Sequence, residues 1–125
     1  ASDVYKRQGI SAGGTTNLTG FSLGILTTGA LYAWGHNGFG QLGDGTALNK
    51  SSPVKIGTSS WTAITAGGSH SMAILTTGAL YTWGLNASGQ LGDGTINNKS
   101  SPVKIGTSSW TAVAAGFAHS IGITI

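Results

Sequence analysis

Few residues in this chain could do chemistry. Its 125 residues include three Asp, no Glu, three His and no Cys. General acid/base catalysis needs two carboxyl groups flanking one bond, about 5 to 10 Å apart, and only Asp44 and Asp93 sit where that can be asked. Each precedes Gly, and Asp-Gly is a turn dipeptide whose carboxylate caps its own backbone. We therefore read both as turn formers and expect no catalytic residue. Without cysteine there is no disulfide, thiolate metal site or cysteine nucleophile. Gly38-Phe-Gly40-Gln-Leu-Gly43 satisfies the G-x-G-x-x-G pattern, but that pattern grips a pyrophosphate only where a strand turns into a helix. No helical spacing follows it, so its glycines are read as loop formers and no cofactor is expected.

The spacing of these residues says more than their types. Asp44 and Asp93 are 49 residues apart, and so are Leu31 and Leu80, Pro53 and Pro102, and Trp61 and Trp110. Aligning Phe21–Thr76 with His70–Ile125 gives 39 identities in 56 pairs, and Asn49–Ala63 equals Asn98–Ala112 without a mismatch. A fixed period of this length marks a repeat architecture. An earlier partial copy begins near Gly9, with an insertion at Thr15–Gly20 that belongs in a loop. The repeat also weakens the histidines as metal ligands. His70 and His119 are equivalents, Phe21 stands in their place in the earlier copy, and His36 is matched by Leu85. A ligand position that accepts Phe is a poor one, so no metal is expected. His70 and His119 are read as buried groups hydrogen-bonding between strands.

Each repeat must position these residues with short strands. His70–Leu75 and Ala79–Trp83 flank a Thr-Thr-Gly turn and read as a hairpin. Pro102-Val-Lys-Ile105 follows, with Pro at a strand start where its missing N–H does no harm. Trp110–Ala114 is read as the strand that closes the unit. No window shows helical spacing of apolar residues. The unit is a four-stranded antiparallel sheet, and one such sheet cannot bury both faces alone.

Two stretches carry a family resemblance: ALYAWGHNGFGQLGDGT (Ala30–Thr46) and ALYTWGLNASGQLGDGT (Ala79–Thr95), each followed by Pro-Val, Trp-Thr-Ala and Ala-Gly-x-x-His-Ser. Over Gly9–Ile125 the chain resembles the regulator of chromosome condensation repeat. That resemblance implies an all-β fold, a β-propeller of four-stranded antiparallel blades, with sequence repeat and blade out of step. Propellers close with about four to eight blades, so some 2.4 repeats of 49 residues make an incomplete one. The expected layout is a vector- or adapter-derived scar at 1–8, a partial repeat plus the first full repeat at 9–69, a second at 70–118, and the start of a further one at 119–125. Stopping at the equivalent of Thr76 would leave an edge strand unpaired.

Trp34, Trp61, Trp83 and Trp110 recur with the period, and per-blade aromatics are a propeller signature. We expect them, with Gly35 and Gly84, to be structural, the indoles wedged between blades. Charged residues make up only 7% of the chain. Outside residues 1–8 only four Lys and two Asp carry charge, too sparse a basic row for a specific nucleic-acid partner. No apolar run reaches bilayer length, so no membrane partner is expected. The loops vary between repeats and are the expected partner surface: His36, Asn37, Phe39, Gln41 and Asp44 in one, Leu85, Asn86, Ser88, Gln90 and Asp93 in the other. The expected function is a non-enzymatic scaffold that binds protein and further blades of its parent chain, displayed on a virion, phage or cell exterior. The alternative, implied by resemblance alone, is guanine-nucleotide exchange on a small GTPase with chromatin association.

Overall fold

The computed structural model describes residues 7–13, 20–116 and 119–124. They form ten strands and no helix: β1 (Arg7–Gly13), β2 (Phe21–Leu26), β3 (Leu31–Gly35), β4 (Lys50–Lys55), β5 (Trp61–Ala66), β6 (His70–Leu75), β7 (Leu80–Gly84), β8 (Lys99–Lys104), β9 (Trp110–Ala115) and β10 (Ser120–Thr124). Every pairing is antiparallel between chain neighbours. Sheet order is β1-β2-β3-β4, then β5-β6-β7-β8, then the two-stranded β9-β10. Among the described residues no helix is long and apolar enough to cross a membrane.

The sheets stand side by side, with the first strands of successive sheets, β1, β5 and β9, approaching one another. β4 and β8 therefore lie at the far edges. This explains their solvent-exposed polar residues beside the buried central strands β2 and β6. One apolar cluster joins the first two sheets, running from Phe21, Leu23 and Leu31 to Trp61, Ala73 and Trp83. A smaller one, Met72, Ile74 and Leu80 with Val113 and Ala115 against them, joins the second to the third.

Two expectations need correcting. Trp61–Ala66 and Trp110–Ala115 do not close the preceding unit; they open the next sheet. The reason lies in the connections. The three residues Gly67-Gly-Ser69 fold β6 straight back on β5, whereas the five residues Ile56–Ser60 carry the chain across to the next sheet. That crossing is fixed by backbone bonds to the previous hairpin, from Ile56 N–H to Leu31 O (2.8 Å) and from Trp61 N–H to Gly29 O (2.9 Å). Repeat and blade are thus out of step. Arg7 and Gln8, set aside with residues 1–6, belong to β1, where Arg7 pairs with Leu26. Residues 1–6, most of the Thr15–Gly20 insertion, and 125 lie outside the described residues.

Candidate functional site

The residues singled out above converge on the long loop after β3 and its copy after β7. A buried asparagine organises each. Asn37 is fully buried, and its Nδ2 reaches Asp44 Oδ1 (3.2 Å), Thr46 O (3.0 Å) and Leu48 O (3.0 Å). Its Oδ1 accepts from Leu42 N–H (2.9 Å), and its own N–H donates to Asn49 Oδ1 (2.8 Å). Asn86 repeats the pattern with Asp93 Oδ1 (3.1 Å), Thr95 O (2.9 Å), Asn97 O (2.9 Å), Leu91 N–H (3.0 Å) and Asn98 Oδ1 (2.9 Å). One side chain thus satisfies three backbone groups of a strandless loop, two carbonyls and one N–H.

The two Asp belong to the same network. Asp44 Oδ1 accepts from Thr46 N–H (2.9 Å) and Thr46 Oγ1 (2.8 Å), while Oδ2 pairs with Lys50 Nζ at 2.8 Å. Burial pushes the Asp44 pKa up, but the bonds from Lys50, Thr46 and Asn37 outweigh it and hold the group at about 2. Asp93 has the same partners in Thr95, Asn86 and Lys99 (3.2 Å), and against its burial they hold it below the usual carboxylate range. Each Asp is committed to its own loop and stays ionised, which suits a turn and not a proton donor. No group of three metal-ligating side chains occurs among the described residues.

Four of the ten expected surface residues are not on the surface. Asn37, Gln41 and Asn86 are fully buried and Gln90 nearly so, because they hold the loop rather than meet a partner. Gln41 Oε1 accepts from Phe39 N–H (2.8 Å) and its Nε2 donates to His36 Nδ1 (2.9 Å). Gln90 accepts likewise from Ser88 N–H (2.8 Å), but Leu85 stands where His36 would be. Asp44 and Asp93 are also largely covered, with side chains 8% and 7% exposed. What reaches solvent is the pair of tips. Phe39 is 38% exposed, with the His36 ring edge-on at 6.3 Å. Ser88 is exposed beside half-buried Leu85.

The loops also splice the sheets. Leu42, fully buried, joins the cluster between the first two sheets, and Gly45 N–H donates to Ser100 O on β8 (2.8 Å). Gly43 lies against the Trp83 indole so closely that a Cβ there would come 2.7 Å from Nε1. Ser71 Oγ of β6 donates to Gln41 O (2.7 Å), and Ser120 Oγ of β10 donates to Gln90 O (2.8 Å). Since the Ser120 proton is used there, its oxygen accepts from His70 Nε2 (2.9 Å). His70 therefore bonds between sheets rather than between strands of one sheet. Burial lowers its pKa, the His119 carbonyl opposes that and the His119 charge adds to it. The Gly of Ala-Gly-x-x-His lies beneath the ring, where a Cβ on Gly67 would overlap His70 and one on Gly116 would overlap His119.

His119, expected to match His70, is exposed. Trp83 is fully buried and Trp61 4% exposed, their ring centroids 6.1 Å apart in the first cluster. Trp110 is half-buried against the second cluster, and Trp34 is half-buried. Gly35 and Gly84 have φ of 109° and 106°, and a Cβ on either would lie within 2.8 Å of the start of the neighbouring strand. That explains the fixed Trp-Gly pair.

The model of the regulator of chromosome condensation (RCC1) repeat matches residues 28–74 and 77–123, and a second model of the same repeat matches 61–90. The chain belongs to this family. Among solved structures, human WBSCR16 is 26% identical with a TM-score of 0.81, covering 95% of this chain. Prp20p from Saccharomyces cerevisiae, studied for its binding to Gsp1p and histones, is 22% identical with a TM-score of 0.83 over 95%. The same yeast RCC1 (Prp20) bound to Kap60 matches equally well. The chain spans about 31% of the length of the first two of these structures. The all-β repeat is accordingly an incomplete β-propeller, its first two sheets blades and β9-β10 part of a third.

Proposed function

We propose that this chain is a non-enzymatic protein-binding scaffold, with the loop tips at His36, Phe39, Leu85 and Ser88 as its contact points. One observation carries the reading. The two loops share every internal bond of the Asn-Asp-Thr network yet differ at 36/85, 38/87 and 39/88, so a fixed frame presents changeable tips. The two carboxylates are occupied by that frame, which supports the non-enzymatic part. The Glu-free, Ser/Thr-rich composition suits display on a virion, fibre or cell exterior. Guanine-nucleotide exchange with chromatin association remains the second reading, because the Prp20p structure is described with Gsp1p and histones.

A binding assay separates these readings. The chain and its His36→Ala/Phe39→Ala/Leu85→Ala/Ser88→Ala variant are titrated against immobilised core histones and a small GTPase carrying fluorescent GDP. Binding lost in the variant without faster GDP release supports the scaffold. Accelerated GDP release supports exchange instead, and binding unchanged in the variant removes the tips as contact points.

A further inference from the structure

Between the first two blades, away from the loop tips, lies a cleft of about 530 Å³, within the roughly 300 to 1,000 Å³ usual for small-ligand sites. β4 and the Gly43–Thr46 turn form one wall, and residues of β5, β7 and β8 form the other. Its aromatic part is the half-buried Tyr81, backed edge-on by the buried Trp61 with centroids 5.6 Å apart. The buried Trp61 indole N–H has no acceptor among the described residues. Ser59 and Ser101 supply hydroxyls. Of the two lysines, Lys50 is neutralised by Asp44, whereas Lys55 has no ion-pair partner among the described residues.

Every residue lining the cleft has an identical counterpart 49 positions away, although the nearby loop tips differ. Lys55, Ser59 and Ser101 are solvent-exposed, and at such positions folding tolerates substitution within about 0.5 kcal/mol. Aromatic surface, several hydroxyls and one free ammonium match a sugar ring that carries one carboxylate. A neutral sugar leaves Lys55 without a counter-charge, and an acidic peptide lacks ring hydroxyls for Ser59 and Ser101.

We propose that the cleft between the first two blades binds a uronate-bearing saccharide, its carboxylate on Lys55, its hydroxyls on Ser59 and Ser101, and its ring against Tyr81. Lys104 provides an internal control. It is the counterpart of Lys55, but the described third sheet has no strands equivalent to β7 and β8 to face it.

Titration calorimetry and tryptophan fluorescence of the 125-residue chain with trigalacturonate, maltotriose and triglutamate test this. Trigalacturonate binds at one equivalent per chain and tighter than either of the others. Lys55→Ala weakens it about tenfold or more, the loss of one charge-assisted hydrogen bond. Lys104→Ala leaves it within about twofold, and both exposed lysine variants keep the parent denaturation midpoint. The proposal falls if trigalacturonate gives no signal at about 10 mM, if maltotriose or triglutamate binds as tightly, or if Lys104→Ala weakens binding as much as Lys55→Ala.

Discussion

The two junctions between sheets are built from the same sequence positions and yet differ in character. At the first, Ser71 holds the Gln41 carbonyl, and Phe21, 2% exposed, takes the position that is His70 in the next repeat. At the second, Ser120 holds the Gln90 carbonyl and also accepts from His70. The serine-to-carbonyl anchor is common to both, while the residue beside it is apolar in one and titratable in the other. The lesson is a separation of roles: the anchor sets how blades dock, and the neighbouring position sets what that docking responds to.

Three tests break or sharpen the contrast. The largest effect is expected at the first junction, where Trp83→Ala should destabilise by about 3 to 5 kcal/mol in urea denaturation. Trp110→Ala, at the half-buried counterpart of Trp61 in the second junction, should lose clearly less. Equal losses would show that the junctions are energetically alike. Next, Gly67→Ala should destabilise by about 1 to 3 kcal/mol, because the added methyl overlaps the His70 ring. In a His70→Ala background the ring overlap is gone and only the 2.6 Å approach to Gly116 O remains, so the loss should be smaller, and fully additive losses would separate the glycine from the histidine.

The smallest effect is the most specific. The folded pKa of His70 lies below its ordinary value of 6.5, so the unfolded chain takes the proton first. Stability is then full above about pH 6.5 and declines as the pH falls toward the folded value. His70→Phe, which copies the first junction into the second, should flatten that decline between about pH 7.5 and pH 5, read from urea midpoints. A decline that survives the substitution would place the acid sensitivity elsewhere. The Asp44 contribution does not interfere. Its folded value of about 2 lies below the ordinary 3.8, so it is complete above that range and fades only as the pH falls through it.

How much of this was legible depended on whether a signal was periodic or local. The 49-residue period and the turn glycines placed the hairpins correctly, since His70–Leu75 is a strand as expected. Lys99-Ser-Ser101 was missed as the start of β8 because an edge strand facing solvent has no apolar alternation to betray it. The Trp-Thr-Ala strand was assigned to the wrong sheet because a crossing connection and a hairpin turn are both short and glycine-bearing. Only the bonds to Gly29 and Leu31 tell them apart. The burial of Asn37 and Gln41 escaped a reading in which polar loop residues face outward. Yet Asn37 and Asn86 are identical while positions 36, 38 and 39 all differ from 85, 87 and 88, and that was the available clue.

The serine-to-carbonyl anchor has a genetic consequence. Ser71 takes Gln41, and Ser120 takes Gln90, each reaching back 30 residues. The contact is thus written in one period of sequence and the start of the next. Unequal recombination that adds or removes one 49-residue unit would leave every surviving junction with its own serine and its own carbonyl. Copy number can therefore drift without any new docking surface having to evolve, and near-identical neighbours are what such drift leaves behind.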